Sequence, residues 1–138
     1  GRPPRVPPGS GAASIPRLPA GRGGALGTTR NRDFRRLAAS LPSVHDGGVV
    51  LNLGSAVILP EVFLKALTIA RNLNAGKPTG FTAADLDMMR HYRPHVNVVQ
   101  RPTVDGGHGY ELTGHHEIMV PLLAWSVLSM IEARSADA

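Results

Sequence analysis

Between Asp46 and Gly76 the chain reads as turn, strand, tight turn and helix in unbroken succession. No other stretch limits the possible folds as strongly. Asp46-Gly47-Gly48 is a turn signal, and Val49-Val50-Leu51-Asn52-Leu53 is a continuous, β-branched-rich run of the kind that forms a buried parallel strand. Gly54-Ser55 ends it. Pro60 suits the first turn of a helix, where its missing N–H is no loss, and Glu61 beside it favours the positive end of the helix dipole. Val62, Leu64, Ala66, Leu67, Ile69, Ala70 and Leu73 make that helix apolar over most of its surface, and Asn74-Ala75-Gly76 supplies the stop. Strand, small-residue turn and helix make half of a βαβ unit.

The surrounding segments fit an α/β reading. Residues 31–41 predict a short helix, with Asn31 as cap, Asp33 in its first turn, Phe34, Leu37 and Leu41 on one face, and Pro42 as its end. Residues 79–92 read two ways. Thr82 with Asp85 resembles a helix start, with Leu86, Met89 and Tyr92 along one face, whereas a strand at 80–86 would complete the βαβ unit. After Pro94, Val96-Asn97-Val98-Val99 predicts a further strand; Gly106-Gly107-His108-Gly109 is a flexible turn and Tyr110-Glu111-Leu112 an extended piece. Residues 116–133 form a long helix with Ile118, Leu122, Trp125 and Leu128 on one face, kinked or re-started by Pro121. It is apolar on several faces, so it is expected to lie between layers or under a partner. Met88, Met89, Met119, Met130 and Trp125 read as core or interface fillers. The expected architecture is a partial, three-layer Rossmann-like unit over residues 31–134, with a short parallel or mixed sheet, a disordered leader at 1–30 and a tail at 135–138.

Charge warns against the obvious reading of a net +5. Residues 1–36 hold eight arginines against the single acid Asp33, while residues 37–138 hold seven basic side chains against nine acids. The excess positive charge therefore sits in the leader, and the rest is slightly acidic. The leader is rich in Pro and Gly and lacks an apolar period, which leaves too little surface to offset the entropy of ordering it. Aromatic residues do not interleave its arginines, so nucleic acid is not the expected partner. Cysteine is absent, which excludes disulfides and thiolate metal sites. No run of eighteen apolar residues occurs, so no membrane span is expected, and a cytoplasmic location is. Because residue 1 is Gly, the first residues are read as something other than a natural start, and the chain as part of a larger protein.

Three clusters could carry chemistry. The first is the Gly54-Ser55 turn with Asn52 before it and Glu61 beyond, at the carboxyl end of a parallel strand and the amino end of a helix. That is the usual place for a nucleotide or phosphate in an open α/β sheet, with Gly54 and Ser55 as backbone donors. The turn is neither a G-x-G-x-x-G nor a Walker A motif. The second runs Arg90-His91-Tyr92-Arg93-Pro94-His95, followed by Asn97, Gln100 and Arg101. Arg93 and Arg101 could grip an anionic group and Tyr92 could stack on a ring, unless the arginines merely pair with Asp85, Asp87 or Glu111. The third is Thr113-Gly114-His115-His116-Glu117, where an imidazole at a helix start is kept neutral and can orient or deprotonate a ligand. His115 and His116 are the catalytic candidates. A metal held by His108, His115 or His116 and Glu117 is disfavoured, because adjacent histidines diverge on a helix and no spaced ligand pair is present.

Taken together, Asn52-Leu53-Gly54-Ser55, Pro60-Glu61-Val62-Phe63-Leu64-Lys65, His91-Tyr92-Arg93-Pro94, Asn97-Val98-Val99, Arg101-Pro102-Thr103, Gly114-His115-His116-Glu117-Ile118-Met119 and Pro121-Leu122-Leu123 resemble the carboxyl-terminal part of an uncharacterised bacterial protein family with a Rossmann-like sheet. The likeness covers about residues 33–130. In layout it is more distantly similar to the deoxyhypusine synthase and sirtuin-like NAD-binding folds. No catalytic motif of that group is matched, and no lysine stands in a nucleophile context, so that activity is not carried over. The resemblance implies a missing amino-terminal half, and with it an incomplete sheet with exposed apolar surface and an unpaired edge. The expected function is binding of a nucleotide, NAD among them, or another anionic small molecule. The other reading is a non-catalytic interaction or oligomerisation module built on the apolar last helix.

Overall fold

A computed structural model describes residues 23–136 of the chain. The elements run α1 (Gly23–Ser40), a 3-10 turn (Leu41–Val44), β1 (Val49–Leu53), α2 (Ile58–Leu73), β2 (Thr82–Asp87), α3 (Tyr92–Pro94), β3 (His108–Thr113) and α4 (His116–Ala136). The three strands form one parallel sheet in the order β1-β2-β3, so the protein is a mixed α/β structure.

The strand-turn-helix stretch folds as its sequence predicts. Asp46 and Gly47 take positive φ, β1 spans the apolar run, and α2 begins two residues ahead of Pro60. The Gly76 N–H reaches back to the Arg71 carbonyl at 2.8 Å and closes the end of α2. Residues 82–87 settle as a strand, which completes the βαβ unit.

Several expectations are corrected. Helix α1 begins at Gly23, so Asn31 lies within it rather than capping it, and residues 23–30 belong to a helix instead of a leader. No proline falls between residues 20 and 41, so nothing stops the helix from running back. The rest of the leader, residues 1–22, lies outside the described residues. The expected strand at 96–99 is helical: α3 continues through a wide π-type turn (His95–Gln100) and a 3-10 turn (Arg101–Thr103). The Arg101 N–H reaches back five residues to the Val96 carbonyl. This stretch is the crossover from β2 to β3; Val98 and Val99 are buried because they face the sheet and α2, not because they pair as a strand. Finally, β1 is not buried on both sides, since Val49, Leu51 and Leu53 are about half exposed.

That last correction follows from topology. Two parallel crossovers of the usual right hand, stepping in the same direction across a sheet, put both connections on one face. Here α2 and the 92–103 stretch cover the face of Val50, Asn52, Ala83, Asp85, Gly109 and Glu111. The core lies between them and is built from Phe63, Ala66, Leu67, Ala70, Phe81, Ala83 and Val98, with Leu41 and the apolar side of α1 at its edge. Small residues allow the close approach: a Cβ on Gly109 would sit 2.6 Å from the Val99 carbonyl oxygen. The opposite face carries Val49, Leu51, Leu53, Ala84, Leu86, Tyr110 and Leu112; among the described residues no helix lies along it, and of these only the central Ala84 and Leu86 are buried.

Helix α4 is docked through its first turn. The His116 Nε2–H donates to the Leu86 carbonyl at 2.8 Å, and Gly114 leaves room for the Met119 side chain. None of its residues is buried, so Trp125 and Met130 do not fill this core, nor do the exposed Met88 and Met89. By length and composition alone α4 is apolar enough to cross a membrane.

Candidate functional site at the carboxyl ends of the strands

The parallel register aligns Asn52, Asp85 and Glu111 across the three strands on the helix-covered face. The Asn52 side chain, buried, donates to the Asp85 carboxylate at 2.6 Å and to the Ser55 carbonyl at 2.9 Å. It therefore ties the end of β1 both to β2 and to the turn beyond. Ser55 supports the next helix, its Oγ accepting the Leu59 N–H at 3.2 Å in the manner of a cap.

Burial holds the Asp85 carboxyl above the usual carboxylate range, the nearby Asp87 and Glu111 push it the same way, and the Asn52 hydrogen bond and His91 oppose them. Around this row the remaining charges pair off. His95 Nδ1 lies 2.9 Å from Glu111, His91 Nε2 3.7 Å from Asp87, and Glu61 accepts from Asn97 at 3.2 Å while facing Arg93 at 3.5 Å.

Next to this network, the β1–α2 turn and the start of the 92–103 stretch enclose an open groove of about 310 Å³, lined by Ala56, Val57, His91, Tyr92 and Arg93. It lies at the amino end of the 16-residue α2, where the first backbone N–H groups have no partners within the helix. Tyr92 and Arg93 are both well exposed there.

Of the residues singled out from sequence, Asn52, Ser55, Glu61 and Arg93 come together at this end of the sheet. Gly54 is present but in another role. Its N–H is bonded to the Leu86 carbonyl at 3.0 Å, so it cannot serve a ligand. Its φ of +68° and the His116 ring, 3.0 Å from where a Cβ would stand, explain why a glycine is needed. His116 is held by its bond to Leu86 and anchors α4, while His115 is exposed and its carbonyl accepts the first N–H groups of that helix. Arg101 lies at the far end: its neighbour Pro102 bonds Arg71, and Thr103 bonds Gly107 just before β3 begins. His108, at the start of β3, is likewise a strand length away from His116. Among the described residues no three His or acidic side chains converge so as to hold a metal ion.

Sequence reasoning missed the acidic row. It considered Asp85, Asp87 and Glu111 only as alternative partners for the arginines, whereas two of them pair with histidines and the third is buried under Asn52. The available signal was Asn52 on a strand followed by Thr82-Ala83-Ala84-Asp85, if that segment had been aligned beside it. Compared with known proteins, the chain matches no protein family, no curated protein and no solved structure.

Proposed function

We propose that the chain is a Rossmann-like unit that binds a small anionic ligand, of the nucleotide or phosphate class, at the carboxyl ends of its parallel strands. The observation that carries this reading is the groove between the β1–α2 turn and Arg93, set against the amino end of α2. Helix N-termini and arginines both favour negative charge, and the crevice beyond the carboxyl ends of parallel strands is where such ligands bind in open α/β sheets. An arriving phosphate competes with Glu61 for the Arg93 guanidinium, and Tyr92 offers a ring face to a base. The volume lies at the small end of ligand sites, roughly 300–1,000 Å³. It suits a phosphate and one ring better than a whole dinucleotide, so NAD would be gripped by one half. If the ligand reacts, His91 is the imidazole that lines the groove, whereas His116 Nε2 is already bonded to the Leu86 carbonyl.

The test is a thermal-shift and calorimetric titration of the full chain with NAD(H), ATP, AMP and inorganic phosphate. A saturable rise in Tm with a phosphate-bearing compound is expected, since ligand at about 100 times its Kd adds roughly 2.7 kcal/mol. Arg93→Ala should abolish the rise, and Ser55→Leu, which crowds the turn, should do the same. No shift with any of them from a cooperatively unfolding sample, or an unchanged Kd in both variants, would sink the placement.

A further inference from the structure

Among the described residues two apolar surfaces are left largely exposed. One is the bare sheet face, whose flanking strands expose Leu51 and Tyr110 beside the buried Ala84, and Leu53 and Leu112 beside the buried Leu86. The other is α4, whose 21 residues make a rod roughly 31 Å long at 1.5 Å per residue. A strand of six residues runs roughly 20 Å, so the helix spans the sheet along its full length with turns to spare. Helical spacing places Ile118, Leu122 and Trp125 on one side of α4 and Val120, Leu123, Val127 and Ile131 on the opposite side. A helix lying on a sheet buries one stripe; one with two opposed apolar stripes needs two apolar neighbours.

We propose that a second copy of this chain supplies both: α4 of each chain lies on the bare sheet face of the other, and the two α4 helices meet across the twofold axis. From their fractional exposures, the apolar side chains of α4 and of the bare face present roughly 1,500 Å² per chain, beyond the ~300–600 Å² of the largest patch on an ordinary monomer and enough for a homodimer that buries ~2,000 Å² or more. A contact of this kind is isologous and closes on itself, so it ends at two copies. A bilayer would satisfy α4 but would leave Val49, Leu51, Leu53, Tyr110 and Leu112 bare, whereas the second copy covers both surfaces at once.

The absence of cysteine makes the test clean. The full chain is first weighed by sedimentation velocity over a wide concentration range, where twice the chain mass of 14.6 kDa is expected. A Leu51→Cys chain is then mixed with a Leu122→Cys chain and oxidised; a disulfide joining the two different chains is expected, and Leu51→Lys should weaken self-association at least tenfold. These positions are exposed, so the variants keep their fold. A monomer at every concentration overturns the proposal. So does a disulfide that forms only within a single chain carrying both substitutions, because α4 would then cover its own sheet. Co-sedimentation with phosphatidylcholine vesicles, with no dimer in their absence, overturns it in favour of a membrane.

Discussion

The two faces of the sheet alternate along the same three strands, so they share backbone, register and twist and differ in what lies over them. On one face Val50, Ala83 and Gly109 are small enough for α2 and the 92–103 stretch to pack close, and the polar row Asn52-Asp85-Glu111 is sealed near the carboxyl end. On the other face the residues are larger and more apolar; Ala84 and Leu86 on the central strand are buried among their neighbours, while Val49, Leu51, Leu53, Tyr110 and Leu112 on the flanking strands stay about half exposed. The difference shows that hydrophobicity alone does not identify a core. The covered face is a core because its residues are small and its crossovers fall there; the other face is apolar on its flanking strands without a crossover over it among the described residues.

That comparison can be broken most directly at Phe81, which is completely buried on the covered side just ahead of β2. Phe81→Ala is expected to cost about 3–5 kcal/mol of unfolding free energy, the range for removing a buried ring. A urea titration showing less than about 1 kcal/mol would mean that the covered face is no better packed than the bare one. A smaller, pH-dependent effect is expected at Asp85. Because its folded pKa is raised, its contribution to stability is complete below the unfolded value and is lost as pH rises through the folded one. Asp85→Asn keeps an acceptor for Asn52 and removes the ionisation. Parent and variant should therefore diverge, to the variant's advantage, as pH climbs out of the ordinary carboxylate range; parallel curves from acid to neutral pH would refute the buried acid. The smallest effect belongs to the bare face. At dilutions that keep the chain monomeric, Leu51→Ala should change stability by about 0.5 kcal/mol or less, as at other surface positions. A loss as large as that at Phe81 would show that something in the same chain covers Leu51.

How much of this could be read from sequence depended on distance along the chain. The β1–α2 unit was legible because its turn, strand and helix signals are adjacent, and each is a local property of the residues concerned: Gly47 at positive φ, Pro60 in a first turn, Asn74-Ala75-Gly76 at a stop. That Asn52, Ser55, Glu61 and Arg93 gather at one end of the sheet followed from their places at the end of a strand, in the turn beyond it and at the start of a helix. Val96-Asn97-Val98-Val99 was not legible, because a β-branched apolar run looks the same in a buried strand and in a buried crossover. What decides between them is that β2 and β3 lie on either side of it. The Asn52–Asp85 bond joins residues 33 positions apart, and it exists only once the register of β1 on β2 is set. Gly54 could be recognised as special, but not that the ring it makes room for belongs to His116, beyond β3.

The wholly parallel register also has a consequence in time. A hairpin can close as soon as its second strand leaves the ribosome; here no strand pairs with its neighbour in sequence until an entire crossover has been made between them. β1 must wait for α2 and β2, and β2 for the 92–103 stretch and β3, so the contacts that define the sheet are all long-range and slow to form. Helix α4 follows all three strands in the chain, so every strand leaves the ribosome ahead of it. An apolar helix delivered ahead of its docking surface is a route to aggregation. Here α4 comes after all three strands and is latched to the sheet at its first turn by His116.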